Sequence, residues 1–329
     1  MFLKHLFFFA AVIAGALACS QIALAQDNAQ ESSPLSVATQ FSSDLAKECQ
    51  GGRGVVAQFH YAGPKPLRGY LVVFSFADST TGRITEGSWV REIRSADQRM
   101  IDTGSEWSRT LCIPEKFTGD TLTVTANVDV LDFADGSIWG PASLAKSHEL
   151  IGTLNGIDFK GKTTTQLERY VSPISPQRGP FPVADVQTQT IGPLKIESGV
   201  WRDEHGQDLL AVNVTNESSF PIRAYLLTTS FFDPATGTRI RRVSTKELET
   251  HGNPADYLAP GATWVADPRK FSYLSDGTLA SYKISVDLVA FADGSVFGPK
   301  KSAESDEVLG MLRGIDAAND SSRETPGHP

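Results

Sequence analysis

The strongest constraint on this chain is that it carries one pattern twice. Pro66-Leu67-Arg68-Gly69-Tyr70-Leu71 recurs as Pro221-Ile222-Arg223-Ala224-Tyr225-Leu226, and Ser75-Phe76-Ala77-Asp78 with Thr81-Gly82 recurs as Ser230-Phe231-Phe232-Asp233 with Thr236-Gly237. Phe133-Ala134-Asp135-Gly136-Ser137-Ile138-Trp139-Gly140-Pro141 returns as Phe291-Ala292-Asp293-Gly294-Ser295-Val296-Phe297-Gly298-Pro299. Glu149-Leu150-Ile151-Gly152-Thr153-Leu154-Asn155-Gly156-Ile157-Asp158 returns as Glu307-Val308-Leu309-Gly310-Met311-Leu312-Arg313-Gly314-Ile315-Asp316. The offset drifts only from 155 to 158, so order and spacing are both kept, as a tandem duplication requires. Whatever fold one copy takes, the other must be able to take. At roughly 150 residues per domain, a chain of this size predicts two domains, and the repeat says that they are two copies of one module.

Each copy is rich in strand signals. Residues 55–59, 69–76 and 121–133, with their partners 209–214, 224–232 and 282–291, alternate or run apolar with β-branched and aromatic side chains between Gly, Pro, Asn and Asp clusters. Short strands with such turns predict a mainly β fold of two tandem antiparallel β-sandwiches. Asp135-Gly136 and Asp293-Gly294 mark hairpins, because glycine accepts the positive φ of a tight turn. After each Gly-Pro the period changes: Leu144, Leu150, Ile151 and Leu154, and likewise Ala303, Val308, Leu309 and Leu312, are spaced like one face of a short C-terminal helix. The predicted organisation is an N-terminal extension over 26–48, a first sandwich over 49–160, a Pro-rich connector over 161–192, a second sandwich over 193–317 and a loose tail over 318–329. Val37, Phe41 and Leu45, four apart, permit a short helix in the extension.

These residues resemble the immunoglobulin-like and fibronectin type III-like modules of exported bacterial proteins; proteins carrying the Phe-x-Asp-Gly-x-x-Trp-Gly-Pro pattern followed by a short helix are similar, and the resemblance covers nearly all of both copies. The resemblance implies fold and export and carries over no catalytic residues. The chain departs from antibody domains in one respect: Cys49 and Cys112 have no counterparts in the second copy.

The N-terminus points to the same compartment. Lys4 and His5, an apolar run over 6–18 and Ala23-Leu24-Ala25 before Gln26 are the parts of a signal peptide over residues 1–25, and the run is shorter than the ~20 residues of a membrane anchor. Export to the periplasm or the medium is the expectation, with lipidation at Cys19 after Ala16-Leu17-Ala18 as the alternative and no transmembrane segment. Two cysteines remain after cleavage at Ala25, and an even pair in an exported protein predicts a Cys49–Cys112 disulfide, with two separate buried thiols as the other reading. The 30 basic against 38 acidic residues give a net charge of −8, which argues against a nucleic-acid partner because phosphate needs a basic surface.

Chemistry-bearing patterns are sparse. Asp102-Thr103-Gly104 resembles an aspartic-protease loop, but that mechanism needs two aspartates sharing a proton, and the matching segment before Trp264 is Leu258-Ala259-Pro260-Gly261. What the copies share there is a turn glycine three residues before Trp107 and Trp264, a loop-to-strand junction. Asp129, Asp132 and Asp135 invite a calcium reading, yet Ala290 replaces the middle carboxylate in the second copy and strand alternation would not gather the three, so a turn role is expected for Asp135 and Asp293. Trp139 and Phe297 read as packing residues before a sugar platform. The expected function is a non-catalytic binding or structural module without cofactor or metal, with an unidentified protein or glycan as partner; carbohydrate or cell-wall binding is the alternative and a hydrolase built on Asp102 a minor one.

Overall fold

The structure, a computed structural model of the chain, describes residues 33–42, 49, 54–78, 84–94, 99–113, 122–160, 162–167, 172–173, 184–202, 208–270 and 280–323. The expected signal peptide, Cys19, the prolines of the connector beyond Pro173 and the last six residues lie outside the described residues. The first copy runs β1 (Leu35–Ser42), β2 (Gly54–Tyr61), β3 (Leu67–Asp78), β4 (Ile84–Ile93), β5 (Glu106–Cys112), β6 (Leu122–Phe133), β7 (Ile138–Trp139) and α1 (Ala145–Asp158). A short α2 (Thr164–Leu167) and β8 (Ser172–Pro173) follow. The second copy runs β9 (Ala184–Ile191), β10 (Leu194–Arg202), β11 (Asp208–Asn216), β12 (Ile222–Phe232), β13 (Arg239–Leu248), β14 (Thr263–Lys270), β15 (Ser281–Phe291), β16 (Val296–Phe297) and α3 (Ala303–Arg323).

The fold is mainly β, in four sheets whose pairings are antiparallel apart from the two-residue β8–β13 contact. Sheets β1-β2-β5 and β4-β3-β6-β7 enclose one apolar core that includes Phe59, Tyr61, Phe74 and Leu131. Sheets β14-β11-β10-β9 and β16-β15-β12-β13-β8 enclose another that includes Ile196, Val214, Phe231 and Trp264. β3 is buried on both faces: Tyr70, Val72 and Phe74 enter the core, while Leu71 packs with Val130 against Leu150 and Leu154 of α1. β12 repeats this, with Leu226 and Leu288 meeting Val308, Met311 and Ile315 of α3. Strands covered on both sides read as near-continuous apolar runs, which is how residues 69–76 and 224–232 appear.

Between the two inner sheets, α1 and α3 cross on glycine. A Cβ on Gly152 would stand 2.1 Å from the Glu307 carbonyl oxygen, and one on Gly310 would stand 2.3 Å from that of Glu149. Gly156 faces the Met311 carbonyl and Gly314 the Thr153 carbonyl, each at 2.1 Å from the position of an added Cβ. These contacts are reciprocal, since Gly152 corresponds to Gly310, Glu149 to Glu307, Gly156 to Gly314 and Thr153 to Met311. The duplicated chain therefore builds the self-complementary contact of a two-fold dimer within one polypeptide. Phe159 and Leu167 pack in the cluster under sheet β12-β15, so the end of the first copy is seated on the second.

Three boundaries differ from expectation. Residues 35–42 form β1, an outer-sheet strand, although Val37, Phe41 and Leu45 have helical spacing: pairing with β2 outweighs a weak local preference. Residues 184–191, expected in the extended connector, form β9 on the edge of the second outer sheet. α3 continues to Arg323, past the expected end of order at 317, as one helix of 21 residues.

Candidate binding surface

The repeated Asp-Gly-Ser-x-aromatic-Gly-Pro segment is a wrapped loop that starts each helix. In its hairpin, the Gly136 amide donates to the Phe133 carbonyl at 2.8 Å with φ +79°, and the Ser137 amide donates to the Asp135 carboxylate at 2.9 Å. Gly294 (φ +84°) and Asp293 repeat the turn, with the Ser295 amide at 2.9 Å from the carboxylate. Lys65 adds an ion pair to Asp135 at 2.8 Å. Gly140 and Gly298 then pass so close to the preceding strand that a Cβ would meet the carbonyl oxygens of Asp129 and Asp287 at 2.6 and 2.5 Å.

Asp129 and Asp287 are caps reaching from a strand to a helix. The carboxylate of Asp129, 6 % exposed, accepts the amides of Ser143 and Leu144 and the hydroxyls of Ser143 and Ser147; Asp287 accepts the amides of Lys301 and Ser302 and the hydroxyls of Ser302 and Ser305. Burial works against charge at both, yet these donors outweigh it and hold each carboxyl below the ordinary aspartate range. Asp132 bonds the buried Arg68 at 2.9 Å. In the second copy Ala290 stands at that position and Glu249 of the next strand end supplies the carboxylate to Arg223 at 2.6 Å. Asp129, Asp132 and Asp135 therefore turn to three different partners, and no group of three acidic, His or Cys side chains able to hold a metal occurs among the described residues.

The remaining predicted residues fall as follows. Cys49 and Cys112 form a disulfide, with Cα atoms 5.2 Å apart. Trp107 stacks on Phe59 at 5.2 Å between centroids and donates its indole N–H to the Tyr70 hydroxyl at 2.9 Å, which in turn lies 2.9 Å from Glu92. Trp264 donates directly to Glu247 at 2.9 Å, and the wholly buried Tyr225 hydroxyl has no hydrogen-bond partner among the described residues. Asp102 sits in the turn before β5, half-exposed and 3.3 Å from Arg99.

Among the described residues the copies diverge at the edge of the outer sheet. In the first, a groove of about 570 Å³ opens between β1 and β6, lined by Leu35, Val37, Val128, Trp139, Pro141 and Leu144. In the second, Ile191 packs against the core at the corresponding place, and the Phe297 ring lies over Gly192 so closely that a Cβ there would overlap it. Coverage changes accordingly: Ile284 and Val286 are 2 and 6 % exposed, while their counterparts Ala126 and Val128 are only half-buried. Leu144, in the groove wall, is 37 % exposed. Trp139 packs, partly buried, against the first core and lines the groove, which sequence reasoning missed because its walls come from strands far apart in the chain. The detectable signal was Ser33-Pro34-Leu35 aligning with Gly192-Pro193-Leu194, which puts Ser32 where the second copy has Ile191.

No helix among the described residues is long and apolar enough to cross a membrane. No family model matches the chain, and no curated protein matches it.

Proposed function

We propose that this chain is an exported, non-catalytic recognition protein of two immunoglobulin-like or fibronectin type III-like sandwich modules, which binds a macromolecule through the groove of its first copy. The observation that carries this reading is the asymmetry between copies: the groove beside Trp139 is open where its counterpart is filled by Ile191 and Phe297. A buried apolar surface left open on one side is the usual mark of a binding site. Two facing sheets around one core in each copy support the sandwich assignment, and the disulfide supports an oxidising compartment. The glycine crossing of α1 and α3, rather than the proline connector, sets the spacing of the modules in this reading.

A photo-crosslinking side chain at Leu144 tests the proposal against one at Phe297. Adducts with a macromolecule in the exported fraction are expected at Leu144 alone; equal yields at both positions, or none at either, would overturn it. N-terminal sequencing is expected to begin at Gln26, and a lipidated Cys19 would move the protein to a membrane surface. The half-buried Trp139 indole beside the groove favours a glycan as the second reading. A glycan array separates the two, because retention that Trp139→Ala abolishes would replace a protein partner with a polysaccharide.

A further inference from the structure

The open groove lies against a strand edge, and the second copy shows what belongs on that edge. β1 ends its sheet, and among the described residues no strand pairs with its outer side. The direction of its free groups follows from β2. Tyr61, the partner of Leu35, spends its amide and carbonyl on Ser105 and Gly104 on the β5 side, so Leu35 directs its own amide and carbonyl outward. Period two carries the same orientation to Val37, Thr39 and Phe41. The Ser33 hydroxyl meets both groups of Leu35, accepting from its amide at 3.2 Å and donating to its carbonyl at 2.8 Å. Among the described residues nothing pairs with β1 beyond that point, and its core-side residues Thr39 and Phe41 are exposed, Phe41 to 49 %.

The corresponding edge in the second copy is that of β10, and β9 is paired along it, Ile191 against Leu194, Gln189 against Ile196 and Gln187 against Ser198. Ile191 at the end of β9 enters the core beside Leu194, while Leu35, the counterpart of Leu194, borders the empty groove. Ser198, the counterpart of Thr39, is buried under this arrangement. Edge and groove in the first copy are therefore the two halves of one seat for a strand.

Resting on the recognition function proposed above, we infer that the first copy binds an extended segment of a partner protein, which adds to the β1 edge as an antiparallel strand and places an aliphatic side chain in the groove beside Trp139. Backbone hydrogen bonds to the amides of Val37 and Thr39 supply affinity, and the groove supplies selectivity, as in other strand-addition interfaces. The seat asks for an uncharged, β-prone segment with Ile, Leu or Val facing Leu35, because β9 presents Val186-Gln187-Thr188-Gln189-Thr190-Ile191 to the equivalent edge.

The probe is a fluorescent peptide with the sequence of residues 186–191, titrated into the full secreted chain and followed by anisotropy. Saturable binding is expected. Val37→Pro removes one outward donor at an edge position where proline is tolerated, and should weaken binding about tenfold, the equivalent of one backbone hydrogen bond. Val37→Ala keeps the donor while trimming the groove wall, so it should bind more tightly than Val37→Pro, and unchanged thermal unfolding confirms that each variant is folded. If Val37→Pro binds normally while Trp139→Ala does not, strand addition is overturned and the groove remains a recognition site. Absence of peptide binding overturns the inference; if removal of residues 26–32 restores it, the edge belongs to the chain's own N-terminal residues. A wild-type dimer that Val37→Pro dissociates would put a second copy's β1 on the edge and overturn it as well.

Discussion

The two copies close the outer edge of the same fold by different means. Among the described residues the first has a three-stranded outer sheet, a disulfide joining Cys49 to the end of β5, and an open groove; the second has a fourth strand, no disulfide and a filled groove. What the copies share is equally informative. The Asp-Gly turn, the strand-borne helix cap and the glycine crossing recur in register, and the glycine crossing is where the copies meet. Duplication has kept the contacts that two copies need in order to build one molecule, and has let the outward sheets diverge toward a covalent staple in one and an added strand in the other.

Reduction of the disulfide should separate the copies most sharply. The bridge spans 63 residues, and its loss should cost the first copy about 4 kcal/mol by loop-closure entropy. Hydrogen exchange should speed up in β2 and β5 while β11 and β14 keep their protection; equal loosening of both sheets would mean that the copies unfold as one unit.

The glycine crossing makes the opposite prediction, that the copies behave alike. Gly152→Ala and Gly310→Ala each place a methyl group on the partner helix's backbone, and each should cost about 3 kcal/mol in urea unfolding, as overpacking does. A variant that matched the wild type would show that the helices can part without penalty.

Asp129 and Asp287 sharpen the comparison through pH. Each carboxyl is held below its ordinary value of 3.8 in the folded chain, so its contribution is complete above that value and is lost as the pH falls through the lower folded value. Asp129→Ala and Asp287→Ala should each cost about 2 kcal/mol at neutral pH, in the range of a strong helix cap. The double variant should then lose much of the wild type's acid sensitivity below pH ~4. An acid transition of undiminished slope would assign it to other carboxylates.

The smallest expected effect is at the turns. Gly136→Ala and Gly294→Ala keep open space around the new methyl but hold it at positive φ, so each should cost about 1 kcal/mol, and by the same amount in both copies. Unequal costs would show that the Lys65 pair with Asp135, which the second turn lacks by sequence, contributes to the first.

Much of this was legible in the residues. The strands, the Asp-Gly hairpins, the change of period after each Gly-Pro and the Cys49–Cys112 pair all follow from local pattern or residue count. The helix crossing was partly legible, because Gly152-x-x-x-Gly156 and Gly310-x-x-x-Gly314 recur at a spacing that keeps both glycines on one helical face. Spacing alone does not say what faces the glycines. β1 and β9 were misread because their local signals, a four-residue apolar period and a polar segment next to prolines, are weaker than the ladder that recruits them.

The sequence by itself determined that one β module occurs twice, where its turns fall and where its helices begin, because turn geometry, capping and hydrophobic period act within a few residues. Only the tertiary structure decided that Asp129 caps a helix 15 residues away, that the two helices cross glycine on glycine, and that a groove opens beside β1 and Trp139. Those features depend on surfaces brought together from distant parts of the chain, and the cost of an empty groove or the fit of two backbones exists only once both sides are in place.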